Sequence, residues 1–125
     1  MTLYKIRLEL ARNHEFPEGS TRHGYEFVTP LNQHRYLDAM LWKEHRERCR
    51  VRRFWGDEDD ERGHLVRKPG GSWAFHYDIH GDNAGDESGY RLNSHKFVAG
   101  EYVSVRENDD VLRTFRIARV EELPL

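Results

Sequence analysis

The chain has 125 residues, of which 34% are charged, and its basic and acidic side chains nearly cancel to a formal net charge of −2. This length allows one domain with a modest core. The near-neutral balance of charges argues against a dedicated nucleic-acid-binding protein, which usually carries an excess of basic residues. The single cysteine, Cys49, excludes an internal disulfide and any site with several cysteine ligands. We expect a cytoplasmic protein without a membrane-spanning segment, because a lone cysteine fits a reducing compartment and no apolar run approaches bilayer length.

The first part of the chain predicts two strands. Residues 4–10 alternate apolar and charged side chains, which is typical of a strand with one buried face. A second strand follows a turn, with Tyr25 and Phe27 on the same face. Pro30 ends this strand, because proline cannot donate a hydrogen bond to the ladder of a sheet.

The period of the apolar residues then changes to that of a helix. Trp42, His45 and Cys49 recur at spacings of three and four residues, which places them on one helical face. Asp38 is a suitable N-cap, since its side chain can accept a hydrogen bond from the first turn. The sequence therefore predicts one long helix near residues 38–48.

Residues 50–55 return to a strand composition, in which alternation from Val51 places Arg53 on the core face. Either the strand bulges there, or an arginine points inward and requires an acidic or anionic partner, because an unpaired buried charge is costly. The acidic run at 57–61 is predicted to be a loop, since adjacent like charges resist packing together. Residues 64–68 are predicted to pair back as the second arm of a hairpin.

The strongest turn signal in the chain is Pro-Gly-Gly at 69–71. A strand is predicted at 72–79, with aromatic residues on one face. Polar and glycine residues at 81–88 indicate an exposed loop, and a short strand is predicted at 89–92.

The closing segment predicts a β-hairpin. Val103 and Val105 share one face of the first strand, and the polar residues at 107–110 favour a reversal of the chain. Phe115 and Ile117 share one face of the returning strand. We expect these four apolar side chains to meet in one core.

About eight strands and one helix with short connections predict a mainly β fold in one domain over residues 1–125. The architecture expected is a small antiparallel β-barrel or a strongly curled sheet. Three segments, VRRFW at 51–55, GGSWAFHYD at 70–78 and GEYVSVRE at 100–107, resemble a family of small, uncharacterised bacterial proteins. The resemblance implies a free-standing bacterial protein and assigns no activity, ligand or cofactor.

One candidate for chemistry is the ridge formed by His76, Asp78 and His80, which point the same way on a strand. Two histidines with one carboxylate are a known ligand set for zinc and non-haem iron, so a metal-dependent enzyme is one alternative function. The opposite face carries aromatic residues that must form the core. The ridge therefore points to solvent, whereas a barrel needs its metal ligands inside, and no metal site is assigned.

A second alternative is the binding of single-stranded nucleic acid by the basic segment Arg46 to Arg53, which adjoins the aromatic residues Phe54 and Trp55. The acidic run at 57–61 argues against this function, because it follows on the same hairpin and would neutralise the positive field.

The sequence favours a non-catalytic binding module for a protein partner or a small anionic ligand, acting as a monomer or weak homodimer without a cofactor. Aromatic walls with polar tips near hairpin ends are typical of small binding pockets. The alternative interpretation is that the tryptophans simply belong to the core. The residues expected to line the site are Arg53, Trp55, His64, Trp73 and Tyr77.

Overall fold

The described residues form a barrel of eight antiparallel strands with one α-helix, as expected from the sequence. The computed structural model describes residues 2–78, 87–90 and 92–124, without the side chains of Ser88 and Tyr90. The elements are β1 (Leu3–Leu10), β2 (Ser20–Pro30), α1 (Ala39–His45), β3 (Arg50–Trp55), β4 (Glu58–Arg67), β5 (Trp73–Tyr77), β6 (Glu87–Tyr90), β7 (Tyr102–Arg106) and β8 (Leu112–Leu123). Each strand pairs with the next one along the chain, and β8 pairs with β1 to close the barrel.

Helix α1 connects β2 to β3 and lies at one end of the strands. The Asp38 side chain accepts a hydrogen bond of 3.1 Å from the backbone N–H of Leu41, which confirms the predicted N-cap. Trp42 lies edge-on against Trp73 with the ring centroids 5.4 Å apart, and its indole N–H donates to the Leu65 carbonyl at 2.9 Å. Residues 46–48 continue the helix as a 3₁₀ turn. Within the described residues, no helix is long and apolar enough to cross a membrane.

Aromatic side chains fill the centre of the barrel. The ring of Tyr25 lies 5.0 Å from that of Phe75 and 5.1 Å from that of Phe115, centroid to centroid. Phe115 pairs with Val103 across β7 and β8, and Val105 and Ile117 are buried beside them. The predicted meeting of the closing hairpin in one core is therefore confirmed.

The prediction of a loop at 57–61 was wrong. Strand β4 begins at Glu58, and only Gly56 and Asp57 form the turn. Basic residues of β3 lie opposite the acidic residues and relieve their mutual repulsion, for example Arg52, whose Nη1 donates to Asp60 at 2.9 Å. Charge pairing across the hairpin thus overrides the repulsion within the run.

Two further boundaries differ from expectation. Strand β6 covers residues 87–90 rather than 89–92, because Leu92 opens a 3₁₀ turn and its side chain is buried. Strand β5 is described as Trp73–Tyr77. Of the loop predicted at 81–88, residues 87 and 88 belong to β6, and residues 81–86 lie outside the described residues.

Candidate functional site at the acidic end of the barrel

A polar cleft opens at the end of the barrel opposite α1, where the β3–β4 and β7–β8 turns lie. Its volume is about 540 Å³, which is within the range of small-ligand sites. The residues that line it are Arg53, Trp55, Glu58, Asp59, Glu61, Glu87, Glu107, Asn108, Asp109 and Arg113.

Arg53 points into the barrel, and its side chain is only 14% exposed. Its Nε donates to Oε2 of Glu107 at 3.2 Å. Burial by itself would lower the pKa of Arg53, but the neighbouring Tyr25 and Glu107 raise it, so the guanidinium stays charged. An inward arginine with an acidic partner, one of the two alternatives left by the sequence, is what the structure shows.

A β-bulge also occurs between Arg53 and Trp55, but its extra residue lies on the partner strand β4 and not on β3. Arg53 pairs with Glu61, and Trp55, two residues further on, pairs with Glu58, three residues back. Strand β3 keeps its alternation, so Phe54 lies on the outer wall, where the Arg7 guanidinium covers its ring at 4.3 Å from the centroid. Arg53 and Trp55 therefore share the inner face.

Glu107 begins the β7–β8 turn and carries one of the two buried carboxylates of the cleft floor. The turn is closed by a hydrogen bond of 3.0 Å from the Glu107 N–H to the Val111 carbonyl. Arg113 donates through Nη1 to Oε1 of Glu107 at 2.8 Å and also contacts Asp109 at 2.9 Å. Glu107 is thus held between two guanidinium groups.

Glu87, the first residue of β6, carries the other buried carboxylate, and its side chain is 1% exposed. It accepts a short hydrogen bond from the Tyr77 hydroxyl and one of 3.2 Å from the Asn108 N–H. Among the described residues, the nearest positive charge is Arg53, whose Nε lies 3.6 Å from Oε2 of Glu87. Burial raises the pKa of Glu87, and the hydrogen bond from Tyr77 and the charge of Arg53 offset this only in part.

The Tyr25 hydroxyl lies between the two carboxylates. It is 2.9 Å from Oε1 of Glu87 and 2.6 Å from Oε2 of Glu107. Burial raises the pKa of Tyr25 well above its ordinary value, and the nearby Tyr77 and Glu87 raise it further, so the phenol stays neutral. The floor of the cleft is therefore a connected network of two carboxyl, two phenol and two guanidinium groups.

Trp55 forms the aromatic wall of the cleft and is half-buried. The Arg53 guanidinium lies 4.2 Å from its ring centroid and that of Arg113 lies 5.6 Å away. The rim beyond the tryptophan is acidic. Glu58 and Asp59 are exposed there and form no ion pair with other residues of the described part.

Three of the five residues expected from the sequence come together at this cleft, namely Arg53, Trp55 and Tyr77. Trp73 is buried at the opposite end against Trp42. His64 lies on the outer wall, where its Nδ1 is 3.0 Å from Oδ1 of Asp78.

The sequence interpretation missed the two buried glutamates and Arg113. Arg113 could have been found, since it precedes Phe115 by two residues and so shares its inner face. Glu107 was interpreted as a turn residue only. Nothing near Glu87 indicates its burial, because its partner Tyr25 is 62 positions away in the chain.

The two alternative sites lie elsewhere. His64 and His76 are paired on β4 and β5, Asp78 is on the outer wall, and His80 lies outside the described residues. Among the residues that the structure describes, no group of three histidine, cysteine or acidic side chains could hold a metal ion.

The arginines of the basic segment do not all share one surface, since Arg50 and Arg52 lie on the outer wall and Arg53 points inward. Arg50 contacts Asp78 at 3.5 Å, Arg52 contacts Glu26 and Asp60, and Arg53 is inside the barrel.

The fold and the cleft together define a class, a closed antiparallel barrel with a packed aromatic centre and an acid-rich polar cleft at one end. Comparisons of the chain with protein-family models, curated proteins and solved structures gave no significant match. The resemblance to small bacterial proteins therefore stays a prediction, and the geometry of the cleft carries the functional argument.

Proposed function

We propose that the protein is a non-catalytic binding protein that holds a small organic cation, an ammonium or guanidinium compound, in the acidic cleft. The observation that carries this proposal is the charge of the described lining residues, which include six carboxyl groups and two guanidinium groups. Both arginines are already paired with acidic residues, Arg53 with Glu107 and Arg113 with Glu107 and Asp109. The exposed carboxylates of Glu58 and Asp59 at the rim favour a positive charge from outside.

This charge distribution favours a cation over the anionic ligand expected from the sequence. An anion would have to displace Glu107 from two guanidinium groups and would face the exposed carboxylates of Glu58 and Asp59. A cation meets attraction at the rim. The size of the cleft and its tryptophan wall suit a small organic molecule.

The arrangement of the floor supports binding rather than catalysis. Glu87 and Glu107 are nearly inaccessible, with side chains 1% and 2% exposed, and both accept hydrogen bonds from the protein. Buried carboxyl groups that already accept hydrogen bonds from the protein stabilise the shape of the cleft. A general acid or base, by contrast, must be able to contact the substrate.

Calorimetric titration at low salt tests the proposal with two cations, agmatine and spermidine, and two anions, acetate and inorganic phosphate. We expect saturable binding of the cations, weakened by added sodium chloride because the rim charges are exposed to solvent. Trp55 fluorescence gives a second readout, and Trp55→Phe provides its control. Binding of phosphate or acetate without binding of either cation would overturn the proposal.

A further inference from the structure

The floor of the cleft has more short oxygen–oxygen contacts between phenol and carboxyl groups than phenol protons to form hydrogen bonds in them. The Tyr25 hydroxyl can donate only one hydrogen bond, but it lies within hydrogen-bond distance of both Glu87 and Glu107, at 2.9 and 2.6 Å. If both carboxyl groups were ionised, one of these contacts would join two oxygen lone pairs without a proton. One proton on a carboxyl group satisfies both contacts, since that carboxyl then donates to the phenol oxygen.

The surroundings of the two glutamates indicate which one carries this proton. Glu107 has charged donors on both oxygens, with Arg113 at 2.8 Å from Oε1 and Arg53 at 3.2 Å from Oε2. Within the described part of the chain, Glu87 contacts two phenols and one backbone N–H, and the guanidinium nearest to it is 3.6 Å away. Ionisation is therefore much better supported at Glu107 than at Glu87.

Several parts of the barrel contribute to the electrostatic environment of Glu87. The groups that act on Glu87 are Tyr25 on β2, Arg53 on β3, Tyr77 on β5, and Glu107 and Asn108 in the β7–β8 turn. Glu61 on β4 and Arg113 on β8 lie one contact further away, against Arg53 and Glu107. The charge of Glu107 favours the proton on Glu87, whereas the charge of Arg53 and the hydrogen bonds from Tyr77 and Tyr25 oppose it. Burial adds to the first effect and raises the pKa of Glu87.

We propose that Glu87 holds a proton in the unliganded protein and releases it to solvent when a cation occupies the cleft, so that cation binding and proton release are linked. This inference rests on the proposed function. A positive charge in the cleft favours the ionised form of Glu87, and by reciprocity loss of the proton strengthens cation binding. No covalent bond other than the O–H of Glu87 changes.

The first half of the inference is tested without any ligand. Infrared spectra of the protein and of Glu87→Gln, recorded across weakly acidic to neutral pH, report the C=O stretch of a protonated carboxyl group. We expect a buried carboxylic acid band that persists above the titration of exposed glutamates and is absent in the variant. A variant spectrum identical to that of the parent overturns the assignment.

The second half is tested by titrating the unmodified protein with agmatine in two buffers of different ionisation enthalpy at the same pH. The difference in heat gives the protons released, and we expect up to about one per bound agmatine, with none for Glu87→Gln. Binding with equal heats in both buffers overturns the linkage and leaves the proposed function standing. Absence of agmatine binding overturns the proposed function and the linkage together.

Discussion

Arg53 lies 3.2 Å from Oε2 of Glu107 through both Nε and Nη2, in a pair that joins β3 to the β7–β8 turn inside the barrel. The two side chains are 14% and 2% exposed. Arg53→Met should lower the free energy of unfolding by about 3 kcal/mol, because Glu107 keeps its charge in a buried place with one guanidinium fewer. Denaturant melts of the variant and the parent chain measure this loss.

The matched control is the double variant Arg53→Met with Glu107→Gln, which removes both charges. The double variant should lose less free energy of unfolding than Arg53→Met and Glu107→Gln lose in sum, since the two charges are coupled. Strict additivity of the two changes would contradict a direct interaction.

The closing hairpin gives a second prediction. The Phe115 side chain is fully buried opposite Val103, so Phe115→Ala should destabilise the protein by about 3–5 kcal/mol. Leu112, on the same strand, is 43% exposed, and Leu112→Ala should cost less than about 1 kcal/mol. Equal denaturation midpoints for these two variants would mean that the register of β8 is wrong.

The buried carboxyl group of Glu87 gives a third prediction, which concerns pH. Its pKa is raised by burial in the folded protein, so its contribution to stability is complete below the unfolded pKa and is lost as the pH rises through the folded pKa. Glu87→Gln cannot ionise and keeps a neutral side chain of similar shape. The parent chain should therefore lose stability relative to this variant as the pH rises from about 4.5 towards neutrality.

Urea melts of both proteins at several pH values measure this difference. A difference in the free energy of unfolding that does not change with pH would contradict a raised pKa at Glu87. So would a parent chain that becomes more stable relative to the variant as the pH rises.

The two ends of the barrel should respond separately to substitution. The indole N–H of Trp42 donates to the buried Leu65 carbonyl at 2.9 Å, so Trp42→Phe should cost about 1–3 kcal/mol of stability. It should leave agmatine affinity unchanged, because Trp42 belongs to the end opposite the cleft. Melting and calorimetry on the same sample check both statements, and an altered affinity would place the ligand elsewhere.

The sequence predicts the barrel well because its strands keep a strict alternation. The period of two places Val103, Val105, Phe115 and Ile117 on the inner face, and these side chains are buried. The same period places Arg53 inward, as the structure confirms. Local pattern is sufficient where one face of a strand must be buried.

The floor of the cleft could not be predicted in the same way. Glu107 and Arg53 are 54 positions apart, and their pairing depends on closure of the barrel rather than on local spacing. The prediction of a loop at 57–61 was wrong for a related reason. The partners of these acidic residues on β3 can be identified only once the register of the hairpin is known. Charge compensation across strands is a property of the register, which composition does not give.

Neutralising the acidic rim of the cleft tests directly whether a cation binds there. Glu58→Gln with Asp59→Asn removes two exposed carboxylates from the cleft, and Glu44→Gln with Glu47→Gln removes two from the helical segment at the other end. In calorimetric titrations with agmatine at low salt, we expect an affinity about five- to tenfold lower for the first double variant, since each exposed charge contributes up to about 1 kcal/mol. The second double variant should bind as the parent chain does. Equal affinities for the two double variants would contradict a cation site at this end of the barrel.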